Sequence, residues 1–194
     1  MRFFRVIAAL TLLAMAGADA RAAQLPRPSP DFAINLGPGK QIRISQYKGK
    51  TVVVAFILTY CSHCQMVIGV LSKMQKEYGP RGLQVLASAT EDMAATALPG
   101  FLRQFDPPFP VGINPTAEFT AYIQHPAMLQ LYMPALVFID KDGIIQAQYE
   151  GRDPILEETN VEKGIRAKVE EMLKTPAAAP KKAAAKKGTA KKGS

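Results

Sequence analysis

The order of apolar and polar positions predicts a core in which strands and helices alternate. Residues 51–58 (TVVVAFIL) are almost continuously apolar and rich in β-branched side chains, which is typical of a central strand covered on both faces. After Cys64, apolar residues recur at helical spacing as far as Tyr78, where a Gly-Pro pair follows as a stop signal. Residues 83–89 (LQVLASA) predict a second buried strand. The core therefore begins with a strand, a helix and a strand.

Shorter patterns surround this unit. The other predicted elements are, in chain order, a hairpin at 31–44, a helix at 91–105 broken or bent near Pro99, an irregular proline-rich stretch, a short helix at 116–123, two strands at 135–140 and 144–149 joined by a hairpin turn, and a last helix at 160–173. This order predicts an α/β fold with a central mixed β-sheet flanked by helices, an N-terminal β-hairpin and an α-containing insertion.

The two ends of the chain differ from its middle. Residues 1–22 combine basic residues, an apolar run of about eleven residues and small-residue cleavage sites, which predicts a signal peptide and export to the periplasm or bacterial envelope. The run is too short for a membrane span, which needs about 20 residues. Three prolines in 23–30 predict an extended linker, so the globular domain is expected at 31–174. Residues 175–194, rich in Lys and Ala, predict a disordered tail.

The net charge of +8 is concentrated in these ends. The signal peptide accounts for a net +2, and six lysines of the tail account for +6, so the predicted domain is close to neutral. A neutral domain argues against a nucleic-acid-binding face. The tail predicts at most a weak association with anionic envelope surfaces, and a solvated tail without a specific partner is the alternative. A monomer is expected.

Cys61 and Cys64 are the only cysteines of the chain, and they are separated by two residues. At the start of a helix, the helix dipole and unpaired N–H groups stabilise a thiolate, so Cys61 is predicted to be the attacking sulfur. Cys64, one turn further along, is placed to resolve the mixed disulfide. The pair predicts thiol-disulfide exchange that needs no metal and no cofactor besides a Cys61–Cys64 disulfide.

His63 lies between the two cysteines. An imidazole there can donate a hydrogen bond to the Cys61 thiolate or carry positive charge beside it, which favours the dithiol and makes the disulfide more oxidising. We therefore predict a tuning role for His63, with a solvent-exposed spacer as the alternative.

Other functions of the cysteine pair stay possible on the sequence alone. Half a zinc site lacks further ligands, and a structural disulfide across so short a loop restricts the unfolded chain little. A copper carrier is chemically reasonable, because Cys61 and Cys64 together with His125 or Met133 offer the soft ligands that copper prefers.

Several segments occur in the order of a known family. Residues 30–32 (PDF), 47–50 (YKGK), the strand and cysteine motif at 51–64, and 136–143 (LVFIDKDG) resemble the TlpA and ResA group of thioredoxin-like thiol-disulfide oxidoreductases, within the redoxin superfamily. The resemblance extends over about residues 30–173. It implies a thioredoxin-like fold and exchange of disulfides with cysteine-containing envelope proteins and a redox partner.

The resemblance also implies a groove for those partners. Pro134 falls where the family keeps a cis-proline that faces the cysteines, and an ordinary trans proline is the alternative. Tyr60, Met133 and Pro134 are then expected to line a groove in which a partner's cysteine-bearing segment pairs as an added strand.

The chain departs from related patterns at three points. Tyr60 stands where the family usually has Trp, and residues 52–58 supply no buried carboxylate to accept a proton from the resolving cysteine, so an oxidising or partner-restricted role is expected. Thr59 precedes Cys61 by two residues, whereas peroxiredoxins space the two by three. A thiol peroxidase remains a further alternative.

Overall fold

The structure is a computed structural model that describes residues 23–175. The predicted signal peptide and residues 176–194 of the predicted tail lie outside the described residues. The strands are β1 (Arg27–Pro28), β2 (Ala33–Gly37), β3 (Lys40–Arg43), β4 (Thr51–Ile57), β5 (Leu83–Ala89), β6 (Val111–Ile113), β7 (Ala135–Ile139) and β8 (Ile144–Tyr149). The helices are α1 (Ser62–Tyr78), α2 (Ala94–Phe105), α3 (Thr116–Ile123) and α4 (Val161–Lys174), with short 3₁₀ turns at Ile44–Tyr47, Gly79–Arg81 and Pro154–Leu156.

The strands of the described chain form one mixed sheet in the order β1-β8-β7-β4-β5-β6-β2-β3. β4 runs parallel to β5, and β5 runs parallel to β6. β7 lies antiparallel to β4 and to β8. The central mixed sheet, the flanking helices and the N-terminal hairpin β2–β3 confirm the predicted thioredoxin-like fold class.

Both faces of the central strand β4 are buried, as its continuous apolar sequence predicts. Because successive side chains point to opposite faces, Val53 and Ile57 pack with α1 and α4, whereas Val54 and Phe56 pack with α3. The ring of Phe56 stacks on Phe119 of α3 at 5.0 Å between centroids. Each such buried side chain stabilises the fold by roughly 1.5–3 kcal/mol, so this strand anchors both layers.

The proline-rich segment 23–30 is not wholly a linker, which corrects that prediction. Arg27 and Pro28 pair with Ile145 and Ile144 as an edge strand. An edge position tolerates proline because its missing N–H can face away from the sheet. The Arg27 guanidinium fastens the strand by donating to Gln148 Oε1 and to the Tyr122 carbonyl, each at 2.7 Å.

The insertion between β5 and β7 also differs from the expectation. Residues 111–113 form β6, where an irregular stretch was expected, because β5 and β2 on either side supply hydrogen bonds that the local sequence does not predict. Gly112 is required there, since a Cβ would collide with the backbone of Asn35. α2 begins at Ala94 and continues through Pro99 without a break.

The topology brings the ends of several strands to the same side of the sheet, where β4 and β5 end. This side is here called the site edge. β4 and β5 are parallel and in register, with Ile57 opposite Ala89, so the residues after both strands emerge together. β7 begins at the same edge, since Ala135 lies opposite Phe56, and β8 ends there. None of the helices within residues 23–175 is long and apolar enough to cross a bilayer.

Candidate active site

Cys61 and Cys64 lie at the site edge, at the N-terminus of α1. Cys61 is the N-cap residue of this helix, and its Sγ accepts a hydrogen bond from the Cys64 backbone N–H at 3.2 Å. Both residues are free thiols; Cys61 is half-buried and Cys64 is buried. Negative charge on the Cys61 sulfur is stabilised by that N–H and by the helix dipole. The position of the pair at a helix N-terminus is as predicted, and the roles of attacking and resolving cysteine stay predictions.

Cys64 is held in the protonated form. Burial raises the pKa of its thiol far above the ordinary value, and the hydrogen bond with Cys61 adds to the effect. Only a thiolate attacks a disulfide, so Cys64 has to lose its proton before it can resolve a mixed disulfide. The site therefore needs a proton acceptor near this residue.

The loop between β4 and the cysteine motif, residues 58–61, is held by hydrogen bonds with three different partners. The Cys61 N–H donates to the Leu58 carbonyl at 3.1 Å. The Gln65 side chain donates from Nε2 to the Thr59 carbonyl at 2.8 Å. The Thr59 N–H donates to Glu91 Oε1 at 3.0 Å, and the Thr59 hydroxyl donates to the same oxygen. This loop therefore has little freedom next to Cys61.

Glu91 is a functional candidate that the sequence interpretation missed. Its Oε2 is buried and has no hydrogen-bond partner among the described residues. Its negative charge adds to the rise in the pKa of Cys64, after burial and the contact with Cys61. A carboxylate with one buried oxygen thus acts electrostatically on Cys64, although β4 itself supplies none. The lack of a carboxylate in residues 52–58 therefore does not by itself predict an oxidising role.

The position of Glu91 has a topological cause. It lies two residues after Ala89, the last residue of β5, and the parallel pairing of β4 with β5 brings the residues after each strand together. An acidic residue two positions after the second buried strand was the available signal, because the carboxyl ends of parallel neighbouring strands meet at one edge.

His63 is half-buried, and its Nε2 donates to the Leu156 carbonyl at 2.6 Å. This contact joins the first turn of α1 to the 3₁₀ turn Pro154–Leu156. A residue with this contact is not a solvent-exposed spacer. Its effect on the Cys61 sulfur stays a prediction, since Nε2 is directed to the carbonyl.

The three predicted groove residues differ in exposure. The Met133–Pro134 peptide is cis, as the resemblance implied, and Pro134 is buried. Met133 is half-buried and packs against the same cluster as Cys61. Tyr60 is 72% exposed. The start of β7 beside the end of β4 brings these residues to the site edge, and their role in partner binding stays a prediction.

The hydrogen bonds of His125 and Thr59 bear on the two alternative chemistries, a copper carrier and a thiol peroxidase. Both ring nitrogens of His125 have partners, Glu150 Oε1 at 2.8 Å and the Leu129 carbonyl at 3.1 Å, so the imidazole is not free to bind copper, and Met133 remains as the other predicted ligand beside the two cysteines. Within residues 23–175 no group of three or more His, Cys, Asp or Glu could hold a metal ion. The hydroxyl of Thr59 donates to Glu91, which leaves it no hydrogen to donate to a peroxide at Cys61.

The sheet, the cysteine pair at a helix N-terminus and the cis-proline at the same edge define a thioredoxin-like thiol-disulfide oxidoreductase. The Redoxin family model matches residues 26–165, so the chain belongs to the redoxin family. Its relatives include thiol-disulfide oxidoreductase ResA of Bacillus cereus, 30% identical over 149 residues, which is 72% of this chain and 82% of that protein. ResA of Bacillus thuringiensis is 28% identical, over 76% of this chain and 87% of that protein.

A solved structure agrees with this assignment. A Chlorobium tepidum protein described as thiol:disulfide interchange protein DsbE superposes with a TM-score of 0.61 at 26% identity. The match covers 74% of this chain and 96% of that one.

Proposed function

We propose that the protein is an exported dithiol-disulfide oxidoreductase in which Cys61 attacks, Cys64 resolves and Glu91 accepts the proton of Cys64. The observation that carries the proposal is the buried Oε2 of Glu91, which has no hydrogen-bond partner among the described residues and whose carboxylate contributes to the raised pKa of the Cys64 thiol. Cysteine-containing envelope proteins and a redox partner are the proposed substrates, and the similarity to ResA and DsbE supports that class.

The first step forms a mixed disulfide. The Cys61 thiolate attacks one sulfur of a partner's disulfide, a bond forms between Cys61 and that sulfur, and the partner's other sulfur leaves as a thiolate. The Cys64 N–H that donates to Cys61 Sγ stabilises the attacking charge.

The second step releases the partner. The Cys64 thiol transfers its proton to Glu91 Oε2, and the resulting thiolate attacks Cys61 Sγ. The mixed disulfide breaks, a Cys61–Cys64 disulfide forms and the partner leaves as a thiolate. Two electrons pass from the protein to the partner, and the reverse sequence oxidises a partner dithiol while Glu91 returns the proton.

Export and envelope association are part of the proposal. The composition of residues 1–22 supports secretion, and the lysines of the tail support a weak attraction to anionic envelope polymers. A chain lacking residues 175–194 should then release from envelope fractions at lower salt than the full chain. Equal release of the two chains at every salt concentration contradicts the attraction.

The proposed exchange is tested by trapping. In the periplasm, Cys64→Ser should accumulate mixed disulfides through Cys61, because the resolving thiol is missing. Gel separation without reductant, followed by mass spectrometry, identifies the trapped partners. Cys61→Ser/Cys64→Ser is the control and should trap nothing. The same bands in both variants, or none in either, contradict the proposal, and stoichiometric copper in the purified wild-type protein would favour the copper carrier.

A further inference from the structure

Residues 124–134, here called the cis-proline loop, connect α3 to β7 and end on Met133 and Pro134 of the proposed groove. Two side chains of this loop stand out from the surface: Met128 is 89% exposed and Leu129 is 60% exposed. Exposed flexible apolar side chains on a loop that ends at the proposed groove suit contact with varied protein partners. What holds this loop in place therefore bears on partner binding.

The chain that follows β8, residues 150–153, contacts both ends of the cis-proline loop. The Gly151 N–H donates to the Tyr132 carbonyl at 2.8 Å. The guanidinium of Arg152 lies 3.7 Å from the centroid of the Tyr132 ring. A Cβ at position 151 would collide with the Met133 carbonyl, so the two backbones touch. At the other end of the loop, Glu150 Oε1 lies 2.8 Å from His125 Nδ1.

His125 makes two hydrogen bonds that a neutral imidazole cannot make together. Nδ1 faces the Glu150 carboxylate, and Nε2 lies 3.1 Å from the Leu129 carbonyl. Both partners are acceptors, whereas a neutral imidazole carries one N–H and an imidazolium carries two. The side chain is only 7% exposed, so water does not readily replace a lost bond.

Few charged groups of the described part of the chain lie around His125. The cavity beside it is lined by Ala23 and Leu25 and by residues of α3, the cis-proline loop and 148–153, and its charged members are Glu150, Arg152 and Asp153. Asp153 accepts from the Glu150 N–H at 2.5 Å, and Arg152 lies over Tyr132. From β1, Arg27 donates to Gln148, which also lines the cavity. Among residues 23–175, Glu150 is thus the charged group that hydrogen-bonds to the ring.

We infer that His125 is a positioning residue that holds the cis-proline loop, and the groove formed by Met133 and Pro134, in the binding arrangement while its imidazole is protonated. The inference rests on the proposed function, because it concerns the binding of protein partners to that site. Exchange with proteins then depends on pH through His125, in addition to the pH dependence of the thiols. Loss of the proton breaks one of the two hydrogen bonds and releases either Leu129 or the contact with Glu150.

The local electrostatics agree with this inference. Burial of the imidazole opposes its charge, but the Leu129 carbonyl and Glu150 outweigh burial, and the pKa of His125 lies above its ordinary value. The stabilising effect of the charged ring is therefore complete below about pH 6.5 and is lost as the pH rises through the raised pKa.

The test compares two substrates at each pH. Single-turnover rates of the reduced full chain are measured from about pH 6 to pH 9 with insulin, a protein disulfide, and with dithiobis-nitrobenzoate, a small disulfide that needs no groove. Ionisation of Cys61 affects both rates, so it cancels in their ratio. The ratio of the insulin rate to the small-disulfide rate should fall about tenfold over this range as one charge-assisted hydrogen bond is lost.

Two variants separate protonation from packing. His125→Lys keeps a positive charge and N–H donors up to about pH 10, so its ratio should stay nearly constant with pH. Glu150→Gln keeps an acceptor of the same shape without the charge, so its ratio should fall at a lower pH than that of the wild type. Lys163→Leu, an exposed site on α4, is the control and should follow the wild type.

Hydrogen exchange supplies a readout of the loop itself. Amides of residues 124–134, corrected for the intrinsic effect of pH, should lose protection above the pKa of His125 in the wild type but not in His125→Lys. A wild-type ratio that stays constant while both substrates react, or a His125→Lys ratio that still falls tenfold, overturns the inference and leaves the proposed function standing. No reaction with either disulfide at any pH overturns the proposed function, and the inference with it.

Discussion

The loop that carries Cys61 and the cis-proline loop meet at the same edge of the sheet, but different contacts hold them. Residues 58–61 follow directly from the central strand. Their Thr59 is held by hydrogen bonds with the Gln65 carboxamide and with Glu91. The cis-proline loop instead depends on the end of β8, through Gly151 and the pair of His125 with Glu150.

This difference in contacts suggests that the first loop governs the reaction of the thiols and the second loop governs the binding of protein partners. Around Cys61 the polar partners are backbone groups and a side-chain amide, which do not titrate in the ordinary pH range, together with one carboxylate. Around the cis-proline loop an imidazole supplies part of the support, and imidazole is the side chain whose charge changes near neutral pH. Changes at the first loop should alter reaction with every disulfide, whereas changes at the second should alter reaction with proteins only.

The largest expected effect is that of Cys61→Ser. The hydroxyl of serine is almost entirely protonated at neutral pH, so reaction with the small disulfide and with insulin should both fall by about 1000-fold or more. Release of nitrothiobenzoate and turbidity of reduced insulin measure the two rates. Ser62→Ala, exposed in the same motif, is the control. Residual exchange within tenfold of wild type would mean that Cys64 can attack unaided.

Glu91→Gln should have the next largest effect. The amide keeps an acceptor for Thr59 but cannot take a proton, so release of a preformed mixed disulfide should slow by about 100-fold at pH 7. The rate should then rise with pH, as hydroxide replaces the carboxylate. Rapid mixing with a Cys61-linked chromogenic thiol measures this step, and the exposed Asp92→Asn is the matched control. A rate equal to wild type would remove Glu91 from the mechanism.

Gly151→Ala should change the cis-proline loop without changing the loop that carries Cys61. The added Cβ displaces the Met133 carbonyl, so reaction with insulin should fall by about tenfold while reaction with the small disulfide stays unchanged. Gly69→Ala, at an exposed helical site where a Cβ meets nothing, is the matched control. Equal losses with both substrates would show that the loops are not independent.

Cys64 should make the stability of the reduced protein depend on alkaline pH. Its pKa is raised in the folded state, mainly by burial, so the unfolded chain loses this proton first, above about pH 8.5. The free energy of unfolding should then fall by up to about 1.4 kcal/mol per pH unit above that point. Urea unfolding in reductant measures it, with Cys64→Ser as the control. Identical slopes for the two proteins contradict the prediction.

The smallest expected effect is that of His63→Ala. If His63 stabilises the Cys61 thiolate, the variant should be less oxidising by about 10–30 mV, which corresponds to roughly 0.5–1.4 kcal/mol. Redox titration in glutathione buffers measures the shift, with exposed Ser62→Ala for comparison. A variant with the wild-type potential would mean that His63 does not tune the redox potential and only makes its structural contact with Leu156.

The elements that the sequence predicted well are those whose signal is local. The apolar run of β4, the helical spacing after Cys64 and the hairpin from β7 to β8 each depend on residues close together in the chain. The same holds for the cysteine pair, because a motif of four residues at a strand-to-helix junction is complete in itself. These features determine the fold class and the redox chemistry.

Contacts between segments far apart in the chain determined the other strands and the positions of Glu91 and His125. β1 and β6 are strands only because β8, β5 and β2 offer them backbone partners. Glu91 reaches the motif only because β4 and β5 are parallel and in register, and His125 meets Glu150 only because β8 ends where β7 begins. The sequence alone therefore determined which residues are proposed to carry the thiol chemistry. The tertiary structure determined which carboxylate and which imidazole are proposed to support it, because such side chains have no local periodicity that marks their partners.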